Sequence, residues 1–168
     1  MLTFYRAILI ASFAMWFGGF TFYTSIVVPI GTEVLGSAYD QGLITRKVTV
    51  WLNLFGIPAV ILMAMETLLC WRSKIDAWKK WTAISTLGIA MATLGYLFPL
   101  HQQLDEMMNL EAGFVDDDDR FYFLHRVYLW VSTVQWAACW IWLFVVCNFW
   151  SSQSLKSNLS KSFESQTD

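Results

Sequence analysis

Four long apolar stretches, separated by shorter polar segments, set the pattern of this chain. The first, Ala7–Ile30, crosses 24 positions without a charged residue. The second, Val48–Trp71, is broken only by Asn53, Pro58 and Glu66. The third, Trp81–Leu100, is uncharged, and the fourth, Val127–Trp150, has Gln135 as its most polar member. A helix rises about 1.5 Å per residue and a hydrocarbon core is roughly 30 Å thick, so about 20 residues cross it. Helices of soluble proteins carry a charged outer face, and these stretches have none. The pattern predicts an all-α polytopic membrane protein with spans at about 7–30, 48–71, 81–100 and 127–150. The simplest arrangement is an antiparallel four-helix bundle over residues 1–150, with Pro58 kinking the second helix. The Ser-, Gln- and Asn-rich tail 151–168 is expected to be disordered. The first stretch is longer than a signal-peptide h-region and follows only Arg6, so it is not read as a cleaved leader.

Composition sharpens the picture. The chain has 168 residues, 57% hydrophobic and 14% charged, with a net charge of −2. Average globular usage is roughly 25% charged. A near-neutral chain offers no electrostatic footprint for nucleic acid, so the lipid bilayer is the expected partner. A membrane-protein partner or a second copy stays open. Arg6, Arg72, Lys74, Lys79, Lys80, Lys156 and Lys161 fall on one side of the spans; Arg46, Lys47, Arg120 and Arg126 fall on the other. This bias favours cytoplasmic N- and C-termini. Trp71, Trp78, Trp81 and Trp150 mark the inner boundary, and Trp51 and Trp130 the outer one. Small residues at helical spacing, Ala14 with Gly18 and Gly88 with Ala92, are expected where helix backbones approach.

Inside a bilayer the informative residues are the polar ones, because each is costly to place there. His125, Tyr128, Ser132, Gln135 and Cys139 follow spacings of 3, 4, 3 and 4, giving one stripe on the fourth helix. Arg46, Thr49, Asn53 and Gly56 form a similar stripe on the second, and Gly18, Thr21, Ser25 and Val28 one on the first. Tyr96, Pro99 and His101 mark the outer end of the third. Together these predict polar groups converging in the outer half of the bundle, either as a cavity floored by Asn53 and Gln135 or as interhelical hydrogen bonds.

His101 and His125 are the only histidines. Imidazoles from two facing helices can hold haem iron, and Asp105, four residues beyond His101, can add a carboxylate or orient the ring. The cofactor is otherwise undetermined, and a haem b would be non-covalent, since no CxxCH motif is present. The plain alternative is two polar residues near an interface. Glu66 is the one acid inside a span, close to the inner boundary. The expectation is a solvated ion pair, with Arg6 as first partner and Arg72 or Lys79 next; a proton- or cation-coupled role is the alternative. The outer run Asp116–Asp119 lacks EF-hand spacing and reads as solvated charge. Cys70, Cys139 and Cys147 form no CxxC motif, and no disulfide is expected.

Two segments, FGGFTFYTSIVVP (Phe17–Pro29) and FYFLHRVY (Phe121–Tyr128), resemble signatures of the small four-helix membrane family related to transmembrane protein 205. In that family a glycine-rich first helix ends in a V-x-P step and an F-x-x-L-H sequence opens the last helix. Where members usually have a small residue after the histidine, this chain has Arg126. The resemblance implies the four-helix fold, highlights Gly18, Gly19, Pro29 and His125, and implies no reaction.

Three functional classes follow. The first is a non-catalytic subunit, scaffold or small-molecule-handling bundle. The second is a small b-type cytochrome or quinone-reactive protein using His101 and His125. The third is a minimal transporter or channel running past Asn53, Gln135 and Glu66, disfavoured by the absence of inverted-repeat symmetry.

Overall fold

The structure, a computed structural model, describes residues 2–73, 76–109, 114–115 and 117–164, with backbone alone at Ala38, Asn109, Phe114, Val115, Asp118 and 155–164. Lys74, Glu111 and Asp116 lie outside the described residues, as do the side chains of Asp118, Lys156 and Lys161. Four of its helices are long and apolar enough to cross a membrane. The first runs Leu2–Leu35, the second Ala38–Trp71, the third Ala77–Glu106 and the fourth Asp118–Glu164. Between the third and fourth, Met108–Asn109 pairs antiparallel with Phe114–Val115.

Each helix overruns its predicted span, because hydropathy reports the greasy middle and not the helical backbone. The clearest case is 38–47, which precedes the predicted span at 48 and is helical throughout. Its start is locally encoded. Gly36 adopts φ 65°, a left-handed conformation that glycine reaches without a Cβ clash, and its amide bonds Thr32 O at 3.1 Å. Ser37 then caps the second helix by accepting from the Asp40 amide at 3.2 Å. Pro58 and Pro99 lie within continuous helices. The first helix contains two π-helical turns, Ala14–Gly18 and Tyr23–Val27, which hydrophobicity does not signal.

Side-chain bonds fix the neighbours. Tyr5 Oη donates to Leu62 O (2.9 Å) and Tyr23 Oη to Thr45 Oγ1 (3.1 Å), joining the first helix to the second. Trp136 Nε1 donates to Thr21 Oγ1 (3.0 Å), joining the fourth to the first. Trp142 Nε1 donates to Thr67 Oγ1 (2.9 Å), joining the fourth to the second. The central core is apolar, built from Leu9, Phe13, Trp16, Ala59, Met63, Ala90, Trp142 and Val146.

The small residues that permit close packing are not those the spacing suggested. Gly18, Gly88 and Ala92 face outward, and a Cβ on either glycine would meet nothing within 4 Å. Close approach occurs instead at Gly56, where a Cβ would lie 2.9 Å from Trp16 Nε1 and 3.0 Å from Leu94 Cδ1. Ala59, Ala83 and Ala90 extend the same tight packing.

Candidate functional site

Two polar layers lie on either side of the apolar core. Along the second helix, Asn53 and Glu66 are 13 residues apart, or about 20 Å at 1.5 Å per residue.

The first layer lies near the turn between the second and third helices. Glu66 is fully buried, at 0% exposure. Its Oε1 accepts from Trp150 Nε1 at 2.5 Å and from Arg6 Nη2 at 3.5 Å. Arg6 stacks over the Trp150 ring at 4.9 Å and donates to Gln153 Oε1 at 2.9 Å. Arg6 is therefore the partner of Glu66, as expected, but the solvated character is not found. The neighbouring helices, with Trp150 and Tyr5, cover the carboxylate that sequence position alone placed near water. Two atoms of this pair, Glu66 Oε2 and Arg6 Nε, are buried without a hydrogen-bond partner among the described residues.

The second layer lies at the opposite end. Arg46, on the second helix, forms an ion pair with Asp105 on the third, both partly exposed. His101 lies beside this pair, its ring centre 6.5 Å from that of Tyr128. Asn53 Nδ2 donates to Tyr128 Oη at 3.4 Å, with Ser132 one turn deeper. Gln135 Nε2 donates to Ala90 O at 3.4 Å. Thr49, Asn53, Ser132 and Gln135 are all buried. A cavity of about 10 Å³, lined by Ser132, Gln135, Cys139 and aromatic residues including Trp16 and Trp136, has room for about one water.

Several expected members fall elsewhere. Tyr96 is 52% exposed, and Ser25 also faces outward. The buried face of the first helix is aromatic, through Phe13, Trp16 and Tyr23, and not the Gly18–Thr21–Ser25 stripe. Polarity misleads here because a hydroxyl can be satisfied by its own helix: Thr21 Oγ1 donates to Phe17 O at 2.8 Å, as Thr24 Oγ1 does to Phe20 O at 2.9 Å, so facing outward bears little cost. Of that stripe, Thr21 alone is drawn in, by Trp136.

Conversely, a buried cluster went unread. Gln41 Nε2 donates to Tyr23 Oη (3.5 Å) and to Thr45 Oγ1 (3.4 Å). Gly31 makes room for it, since a Cβ there would collide with the Gln41 amide. The available signal is Gln41, Thr45 and Thr49 at i, i+4 spacing, which falls mostly ahead of the apolar span that begins at Val48.

The two histidines have separate surroundings. His125 stacks on Phe121 of its own helix, ring centres 6.1 Å apart, while His101 belongs to the Arg46–Asp105 pair. Among the described residues no group of three or more His, Cys, Asp or Glu side chains is placed to hold a metal ion. Cys70, Cys139 and Cys147 are free thiols.

The fold and its layers have the character of a multi-pass membrane protein, with four helices of membrane-crossing length and apolarity. Comparison with family models, characterised proteins and solved structures gives no match.

Proposed function

We propose that the chain is an integral membrane protein, an antiparallel four-helix transmembrane bundle, acting as a non-catalytic subunit or scaffold. One observation carries this reading: side-chain hydrogen bonds between polar groups join the helices at several levels. Glu66 joins Arg6 and Trp150, Thr67 joins Trp142, Thr21 joins Trp136, and Asn53 joins Tyr128. In hydrocarbon no water competes for such groups, so each bond fixes how helices sit together. Large apolar side chains on the surface support the membrane assignment, with Phe4, Val34, Trp130 and Phe144 each more than two-thirds exposed. The one-water cavity beside Ser132 and Gln135 favours a scaffold over small-molecule handling.

In this reading both termini are cytoplasmic, following the Lys and Arg bias. The helix continues past Trp150 into a polar segment. Short helical segments without tertiary packing are marginal in water, so the polar end 151–164 acts as a tail that frays outside the bundle. Kinship with the family related to transmembrane protein 205 belongs to the same proposal, resting on Phe17–Pro29 and Phe121–Tyr128.

Reconstitution into sealed vesicles tests the reading. Proton and cation leak should equal that of protein-free vesicles and stay unchanged in Glu66→Gln. A flux abolished by that substitution would establish a transporter. A Soret band in the purified protein, lost on His101→Ala or His125→Ala, would establish a cytochrome. A C-terminal reporter active only outside the cytoplasm would reverse the orientation.

A further inference from the structure

The turn between the second and third helices concentrates cationic side chains on aromatic rings. Trp71 and Trp81 meet edge to face with ring centres 5.7 Å apart, and both are exposed. Lys80 Nζ lies 5.6 Å from the centre of the Trp71 ring, and Lys79 Nζ the same distance from that of Trp78. The two helix ends that flank the turn are closed by backbone bonds. The Arg72 amide bonds Leu68 O at 3.2 Å, and the Lys79 and Lys80 amides both bond Asp76 O. The Lys80–Trp71 contact brings a cation from the start of the third helix beside the end of the second.

These cations differ in how they are balanced. Lys79 pairs with Asp76 at 3.2 Å, and Arg6 is committed to Glu66. Arg72 and Lys80 pair with no carboxylate among the described residues. Asp76 is the one acid described within the turn, against Arg72, Lys79 and Lys80. The opposite end of the molecule instead exposes Glu33, Asp40, Glu106, Asp117 and Asp119. Indole rings favour the glycerol and headgroup level of a bilayer, and a Lys or Arg near an anionic surface contributes about 1 kcal/mol.

We propose that the helix ends flanking this turn form a docking surface for an anionic phospholipid, with Arg72 and Lys80 receiving the headgroup phosphate. The Trp71–Trp81 pair forms the apolar floor beneath it. The charge complementarity selects the occupant: the two unbalanced cations sit where an anionic lipid presents its phosphate, beside rings that match its glycerol region. The proposal rests on the membrane-spanning reading above.

The test uses the full chain reconstituted into lipid nanodiscs of phosphatidylcholine containing about one-fifth phosphatidylglycerol, with the lipid retained after extraction measured by native mass spectrometry. The wild type should retain phosphatidylglycerol in preference to phosphatidylcholine. That preference should fall about fivefold for each of Arg72→Gln and Lys80→Gln, and weaken with added salt. Arg120→Gln combined with Arg126→Gln, at the opposite end, should leave it unchanged. Both turn positions are surface side chains, and an unchanged circular dichroism melt establishes that the variants fold. Equal retention of the two lipids, a preference that survives Arg72→Gln combined with Lys80→Gln, or one lost on the Arg120→Gln, Arg126→Gln pair would each overturn the proposal. Displacement by millimolar inorganic phosphate would overturn its assignment to lipid. A chain that incorporates into nanodiscs without preference refutes the docking surface alone; one that fails to incorporate refutes the membrane reading as well.

Discussion

The two polar layers use similar chemistry to different ends. Near the turn, Glu66 and Arg6 form a pair whose carboxylate is wholly enclosed. At the opposite end, Arg46 and Asp105 form a pair with both side chains partly exposed. Each pair ties the second helix to a neighbour, but the surroundings set how much each is worth. An enclosed charge that loses its partner has nothing to replace it, whereas a partly exposed one regains water. The difference lies in the covering residues. Trp150 and Tyr5 close over Glu66, while the Arg46–Asp105 pair lies at a helix end.

The largest test of this contrast is Arg6→Ala. Leaving the Glu66 carboxylate unpaired should cost about 3–5 kcal/mol, read as a large fall in the thermal midpoint in detergent. Combining Arg6→Ala with Glu66→Met should recover most of that loss, because the penalty belongs to the stranded charge. If Arg6→Ala melts like the wild type, the enclosed pair is not the stronger one and the contrast fails.

Gly56→Val ranks next. Its side chain would press on Trp16 and Leu94, and overpacking of this kind costs typically about 1–3 kcal/mol. Gly88→Val should be neutral in the same melt, since that position is open.

Asn53→Leu, which removes the bond to Tyr128, should cost about 0.6–2 kcal/mol, the range of polar bonds between helices in lipid. Asp105→Asn should cost about 1 kcal/mol or less. Its effect should also shrink more with added salt than that of Arg6→Ala, because the Glu66 carboxylate is shielded from solvent ions and Asp105 is not. An Asp105→Asn loss that equals the Arg6→Ala loss at every salt concentration would make the two layers equivalent.

The smallest effects are expected at Tyr96→Ala and Ser25→Ala, within about 0.5 kcal/mol, since both side chains face outward. These two positions sharpen what sequence spacing conveys. Thr49, Asn53, Ser132 and Gln135 were legible as buried because amide and hydroxyl groups recurred on one face of their helices. On the first helix the same logic selected the wrong face. Thr21 and Thr24 each satisfy a hydroxyl within their own helix, so polarity there carries little information about which neighbour is met. The aromatic face of Phe13, Trp16 and Tyr23 is invisible to a polarity count, because aromatic side chains suit lipid and protein interior alike.

Glu66 makes the same point about depth. Its partner followed from position, since Arg6 is the cation at the matching end of the first helix. Its enclosure did not follow, because enclosure depends on Trp150, which lies on the fourth helix 84 residues away. The Gln41–Tyr23–Thr45 cluster was missed for a related reason: hydropathy ends a span where apolar residues end, and the helix does not stop there.

The sequence by itself therefore determined the number and rough extent of the apolar helices and which few polar residues stand inside them. Both are consequences of local transfer energetics, in which each residue contributes largely on its own. Only the tertiary structure decided which helix faces meet, that Glu66 is sealed from water, and that close approach falls at Gly56 and not at Gly88. Those outcomes depend on the volumes and hydrogen-bonding groups of two or three helices at once, and no single segment carries that information.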